Sequence, residues 1–388
     1  MIKQTKGIII GIDCSSIKQG GNITHLTEIL KCLNPLIYNI SKVILWCSVS
    51  LSHKITPQPW LIIDIQNELG GNLFLETYWK IRKLPVLAKK SDIVYCPTGY
   101  FLSQSINYVA MCRNMLYYEE EEISQYGYLS KEYIKNRILR WLQIKTFKRA
   151  KGIIFISKYA KTKVQSFLDF DINNSPIIHH GISKRFIGEI KVQKEITSYS
   201  QSNPYKILYI SNIAIYKHQW ILVEAISALF KKGYSIQLII VGKPIDKKAE
   251  KILNITLEKV RDSPNLIKYL GTVAHNEIHN LYKEADMFVY SSSCENMPNI
   301  LVEAMTSGLP IASSNMGPMV EFLKDSAIYY DPKEVKSTTN AIEELLINPV
   351  KRQEFSRKSK YYAQQYSWDK CCNKTFSYLS FVADSRKI

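Results

Sequence analysis

At 388 residues the chain exceeds what one hydrophobic core usually serves, so two domains of ordinary size are expected. Hydrophobic residues at 46% and charged residues at 22% make a globular composition, and no apolar run reaches the roughly 18 residues of a membrane span. The formal charge of +17, most of it before residue 191, asks for an anionic partner: nucleic acid, an anionic membrane surface or phosphorylated substrates. No RNP, zinc-finger or helix-turn-helix signature supports nucleic acid. The eight cysteines are scattered without a C-x-x-C, which favours a reducing cytoplasm over a disulfide framework or a zinc site.

The start reads MIKQTKGIIIGIDCSS. Asp13 interrupts its apolar run and no small-residue cleavage site follows, so residues 7–14 read as a first strand rather than a signal peptide. Gly20 and Gly21 precede a helical pattern over residues 23–33, and glycines there let a ligand approach the backbone closely. His25, one turn in, reads as a packed residue. Residues 43–49, 92–97 and 107–112 read as further strands between helical or irregular segments, the pattern of a doubly wound sheet. After the last come Arg113 and Asn114, and then Glu119 to Glu122, most simply a solvated acidic run.

Residues 139–149, LRWLQIKTFKR, interleave apolar and basic side chains. The commoner reading is a core-facing helix with a basic back; the other is a helix lying on a bilayer surface, and KIRKLPVLAKK at 80–90 is a second segment of that kind. Residues 152–157 read as a strand, 158–168 as a helix, and PIIHHG at 176–181 as a last strand before a linker. On a strand His179 and His180 point to opposite faces, which argues against a two-histidine chelate. Asp169 and Asp171 spell D-x-D, the pattern of hard oxygen ligands for a divalent cation, but they follow a helix and precede a polar NNS, so a polar loop is expected.

Residues 191–204, KVQKEITSYSQSNP, have a hinge composition and divide a domain at 1–190 from one at 191–367, with 368–388 a terminal helix. A strand at 206–211, the loop NIAIYK and a helix at 218–232 place Lys217 at a helix N-terminus. A cation there opposes the helix dipole, which makes sense if a phosphate lies between them. Strands at 236–242 and 266–271 and a helix at 277–284 follow. Residues 287–292 read as a buried strand, and Pro298 stands where a helical turn should begin, with Asn296 able to cap it. That helix is stopped by Gly308 and Pro310, and residues 311–314 resume a strand. Glu295 lies in the loop and Glu303 inside the helix.

A loop at the carboxyl end of a parallel strand, feeding a helix N-terminus, is where open α/β sheets bind ligands. The first-turn N–H groups of Asn299, Ile300 and Leu301 suit a phosphate, whereas two carboxylates suit paired sugar hydroxyls. Phosphate plus polyol means a nucleotide sugar or a phosphosugar.

Glu295 and Glu303 enclose seven residues, and E-x7-E followed by A-M-x-x-G-x-P-I resembles the donor-site signature of retaining glycosyltransferases of family 4. The resemblance covers residues 205–335 strongly and those before 150 weakly. It implies the GT-B fold: two doubly wound Rossmann-like domains facing a central cleft, the first binding an acceptor, the second a donor, with the terminal helix crossing back to the first. It implies that Lys217 and Glu295 act on the reacting sugar phosphate, that Asn212, Asn299, Ile300 and Leu301 line the donor site, and that Glu303 holds the ribose. Gly20, Gly21, Arg113 and Asn114 would border the acceptor and the phosphate. Two positions depart from the pattern. Asn212 stands where the family has an arginine, for which Arg113 is one substitute, and Arg113 with Asn114 stand where relatives place a histidine.

The function implied is retaining, metal-independent transfer of a hexose from a nucleotide-diphosphate sugar to a glycan or lipid-linked glycan acceptor, as in bacterial O-antigen or capsule assembly. No metal and no resident cofactor are expected, and domain closure would exclude water. The location expected is the cytoplasm, peripheral on the inner face of the membrane through the basic first half. Mannose, rhamnose and UDP-linked hexoses stay open as donors, with GDP-mannose preferred. The alternatives are a GT-B nucleotide-sugar epimerase, a non-enzymatic basic binding protein, and a metal-dependent transferase using Asp169 and Asp171.

Overall fold

A computed structural model describes residues 7–18, 20–98, 100–101, 106–263 and 265–385. The chain divides into two compact units. The first comprises residues 1–118, 128–181 and 366–388, and the second Glu119–Gly127 with Ile182–Gln365.

Six strands form the sheet of the first unit: β1 (Ile8–Asp13), β2 (Ile40–Cys47), β3 (Leu61–Ile65), β4 (Ile93–Cys96), β5 (Tyr108–Cys112) and β6 (Gly152–Phe155). They pair in the order β3-β2-β1-β4-β5-β6, every pair parallel. Helices on both faces of a parallel sheet bury it, so its central strands read as continuous apolar runs; β4 and β5 are buried at every residue. β3 was not expected from the sequence, because exposed residues and Asp64 break its apolar run. PIIHHG forms no strand: Ile177 bridges Phe155 and pairing goes no further. The terminal helix Trp368–Asp384 packs on the helix Gly21–Cys32 of this unit. Gly181 allows the approach, since a Cβ there would lie 2.1 Å from the Trp368 backbone nitrogen.

The second unit repeats the plan with β7 (Tyr205–Ile210), β8 (Ile236–Val241), β9 (Ile267–Tyr269), β10 (Met287–Tyr290), β11 (Ile311–Ser314) and β12 (Ile328–Tyr330). The order β12-β11-β10-β7-β8-β9 is again parallel throughout. In both sheets the order reverses once, between β1 and β4 and between β7 and β10. Such a reversal opens a crevice at the carboxyl ends of the two strands, where doubly wound sheets take their ligands.

Two segments are placed otherwise than expected. Residues 191–204, hinge-like in composition, lie inside the second unit and are tied down by the fully buried Arg352. Its Nε donates to Gln193 Oε1 at 3.0 Å, its Nη2 to the Lys194 carbonyl, and its Nη1 to Leu345 O at 2.6 Å. The unit boundary therefore falls at 181/182. The acidic run is not simply solvated either. Glu119–Gly127 belongs to the second unit, where the buried Glu122 meets Lys333 Nζ at 2.9 Å and the Gln125 carbonyl accepts from Lys248 at 2.8 Å.

Candidate active site

The loops after β7 and β10 are stitched together across the strand reversal. His218, in the left-handed region at φ 51°, caps the helix Gln219–Lys231. Its Nε2 lies 2.8 Å from Ser293 Oγ, and the Ser293 N–H donates to the Tyr216 carbonyl at 2.9 Å. Burial draws the His218 imidazole down to about 4, so it is held neutral. The Tyr209 hydroxyl, rising from β7, donates to the Lys217 carbonyl at 2.7 Å. Gly242 lets the loop after β8 close on this corner; its φ is 147°, and a Cβ would fall 1.8 Å from Ser211 O.

That framework presents Lys217 to Glu295. The lysine Nζ donates to Glu295 Oε1, and the Tyr290 hydroxyl donates to the same oxygen. Both charged side chains are mostly buried, at 10% and 16% exposure. The cation opposing the helix dipole is thus paired with Glu295. Burial and the adjacent carboxylate push the Tyr290 hydroxyl well above its usual range, which keeps it a donor.

The helix Asn299–Ser307 carries the rest. Pro298 occupies its cap position, one residue earlier than expected. Asn299 spends its N–H on the Met297 carbonyl at 3.0 Å, which removes one of the three expected phosphate donors. Ile300 and Leu301 remain as first-turn N–H groups with no carbonyl four residues back within the helix. Gly308 closes the helix at φ 79°. Glu303, one turn in and partly buried, has its Oε2 3.2 Å from the Tyr282 hydroxyl, which also lies 3.0 Å from the Ile300 carbonyl. Burial pushes this carboxyl up to about 7, against the pull of Tyr282 and Arg185. Asn212 is exposed; its carbonyl accepts from Gln219 at 2.9 Å.

The other expected residues gather in the first unit. Gly20 has φ 63° and caps the helix Gly21–Cys32, with nothing within 4 Å of where a Cβ would stand. Its backbone therefore faces open space. Arg113 donates to the Gly21 carbonyl at 3.1 Å, and its Nη1 lies 3.3 Å from His25 Nδ1. It serves the glycine loop of its own unit. Asn114 is exposed and receives the Leu116 N–H at 2.9 Å. His25 is fully buried and stacks on His180 at 4.6 Å, and burial with Arg113 holds it well below its usual range. Among the described residues no three His, Cys, Asp or Glu side chains gather as a metal site. Asp169 is exposed and pairs with Lys148 at 2.6 Å, and Asp171 caps the Asn173 N–H at 2.8 Å.

Tyr290, Tyr282, Tyr209, His218 and Ser293 went unseen in the sequence. Tyrosines in apolar strands read as packing; the serine run after Tyr290 was the signal that a polar loop begins there.

Residues 193–363 match the family of glycosyl transferases group 1. An O-antigen chain mannosyltransferase B of Escherichia coli is 31% identical over 111 residues, 29% of each chain. The O-antigen chain mannosyltransferase RfbU of Salmonella typhimurium is 22% identical over 62% of this chain and 63% of its own. The chain thus spans less than two thirds of the length of either relative. The structure of Anabaena HepE with UDP and glucose superposes with a TM-score of 0.68 at 17% identity, covering 98% of this chain and 99% of that one. The chain has the GT-B fold, and its residues 193–363 match the glycosyl transferases group 1 family.

Proposed function

We propose that the chain transfers a hexose, with retention of anomeric configuration and without a metal ion, from a nucleotide-diphosphate sugar to a lipid-linked glycan of surface-polysaccharide assembly. The observation that carries the reading is the Lys217–Glu295 pair at the strand reversal of the second unit, beside the helix bearing Glu303. A diphosphate would take Lys217 and the first-turn N–H groups of Ile300 and Leu301, while sugar hydroxyls take Glu295 and ribose hydroxyls take Glu303. As the anomeric C–O bond to phosphate breaks, charge grows on the departing oxygen, and Lys217 with the helix N-terminus stabilises it. The acceptor oxygen bonds to the anomeric carbon from the same face, and its proton passes to that departing phosphate oxygen. Gly20, Gly21, Arg113 and Asn114 would hold the acceptor. A hexose of the mannose kind is favoured because the Escherichia coli and Salmonella relatives are named mannosyltransferases.

The test is incubation of purified protein with GDP-, UDP- and dTDP-hexoses and a lipid-linked oligosaccharide, with and without EDTA. The expected product keeps the donor's anomeric configuration by NMR coupling and forms equally with EDTA. An inverted linkage, or loss of product with EDTA, contradicts the proposal. Release of nucleotide with an epimerised free sugar would point to the epimerase.

A further inference from the structure

The helix Lys131–Arg149 of the first unit turns its polar residues inward. Asn136, Arg140, Gln143 and Thr146 are buried beside Phe147. They are anchored: Thr146 Oγ1 accepts the Phe101 N–H at 3.0 Å and donates to the Leu142 carbonyl at 2.9 Å, and the Arg140 guanidinium lies 5.0 Å from the Phe167 ring. The helix orientation is therefore fixed from within.

Its outer face is apolar where solvent should favour polar groups. Ile134, Ile138 and Trp141 are 49%, 53% and 53% exposed, and Tyr128 and Leu129 just before the helix are 69% and 94% exposed. At 100° per residue, Ile134, Ile138, Trp141 and Lys145 share an arc of roughly 60°. Lys145 Nζ sits 3.7 Å from the Trp141 ring centre. Exposed Lys131, Lys135, Arg137 and Arg149 flank the arc, as does Lys148, which is paired with Asp169, and Glu132 is the helix's one acidic residue. The sequence left two readings, a core-facing apolar side with a basic back or a helix on a bilayer surface; in the structure Phe147 is buried while Ile134, Ile138 and Trp141 share the solvent side with basic residues.

We propose that this face docks on an anionic bilayer surface, with the Ile134–Ile138–Trp141 stripe entering the boundary between headgroups and acyl chains and the flanking cations meeting lipid phosphates. An apolar stripe bordered by lysine and arginine, with an aromatic at its centre, matches an interfacial helix. A second copy of the chain fits worse, because an isologous contact would bring two rings of cations together. The proposal extends the reading of a lipid-linked acceptor, and its test uses neither donor nor acceptor.

The experiment is co-sedimentation of the full chain with vesicles of phosphatidylcholine alone or mixed equally with phosphatidylglycerol, and tryptophan quenching by brominated acyl chains. Wild type should sediment with the anionic vesicles at low salt and be released at high salt. Its quenching should fall most in Trp141→Phe, since Trp46, Trp79 and Trp368 are buried and Trp60 and Trp220 are less exposed than Trp141. Ile134→Ser with Ile138→Ser and Trp141→Ser should weaken vesicle binding about tenfold or more. Lys135→Glu with Lys145→Glu should remove the preference for anionic lipid. The proposal is overturned if folded wild type ignores anionic vesicles, if the triple variant with an unchanged melting temperature binds as tightly, or if a concentration-dependent dimer shields Trp141. A chain that binds nucleotide but no vesicles loses this proposal alone; one that binds vesicles but no nucleotide loses the transferase reading alone.

Discussion

Lys217 and Glu295 meet as a mostly buried ion pair across the strand reversal of the second sheet, one from the loop after β7 and the other from the loop after β10. A diphosphate and a hexose would each take one partner, so the pair is a built-in competitor for the donor. A nucleoside diphosphate without its sugar would claim Lys217 and leave Glu295 with only Tyr290. A complete sugar nucleotide satisfies both. On the proposed reading the contact would favour the substrate over the departing product.

Removing the charge of Glu295 separates these effects. Glu295→Gln should bind nucleoside diphosphate several-fold more tightly, since partly buried pairs are worth about 1 kcal/mol and 1.4 kcal/mol is tenfold. Sugar transfer should fall by roughly a hundredfold. Calorimetric titration of nucleotide into both proteins checks the first and a transfer assay the second. Unchanged or weaker nucleotide affinity would contradict the competition.

Tyr290 holds the carboxylate in place from the end of β10. Tyr290→Phe removes one donor from Glu295 and should cost about 1 kcal/mol of stability. Turnover should drop more than KM rises, because Lys217 still reaches both carboxylate and phosphate. Steady-state kinetics read that split; a rise in KM alone would assign Tyr290 to packing.

Glu303 sets a pH dependence. Its carboxyl, pushed up to about 7 by burial and faced by Tyr282 and Arg185, holds a proton in the nucleotide-free protein at lower pH. Tyr282 has one hydroxyl hydrogen for two acceptors, Ile300 O and Glu303, and a protonated Glu303 satisfies the arrangement. Folding then binds a proton that the unfolded chain releases near 4.5, so this group's stabilising effect is present below that value and is lost as pH rises towards 7. On the proposed reading ribose hydroxyls take Glu303 as a carboxylate acceptor, so nucleotide affinity should rise as pH passes through about 7. Glu303→Gln should bind more weakly with a flat profile. Titrations between pH 5.5 and 8.5, a span of about 1.5 units on either side of 7, decide it.

Arg352 carries a structural prediction. Replacing it with methionine leaves the carbonyls of Lys194, Leu345 and Leu346 without their buried donor. The cost should be about 3 kcal/mol, lowering the melting temperature by roughly 6–12 °C for a unit of this size. A shift below about 2 °C would show that the 191–204 segment is held by other contacts.

What was legible in the sequence was local. The helix stop at Gly308, the spacing of Glu295 and Glu303 and the seat of Lys217 are written in adjacent residues, and most strands of both sheets, though not β3, follow from runs of branched apolar residues. What was hidden depends on the partner. Tyr290 and Tyr282 read as core until their hydroxyls are seen on carboxylates, and Glu122 read as solvated until Lys333 faced it. The helix after Ser130 misled because periodicity finds an apolar stripe without saying which way it turns; buried Arg140, Gln143 and Thr146 decide that.

The most direct test of the central claim, a metal-free nucleotide-sugar site around Lys217, Glu295 and Glu303, is thermal stabilisation by GDP, UDP, dTDP and ADP in EDTA, on wild type and Glu303→Ala. The account predicts a rise in melting temperature with one nucleotide, unchanged by EDTA and reduced in the variant. No rise with any of the four, or a rise abolished by EDTA, would contradict it.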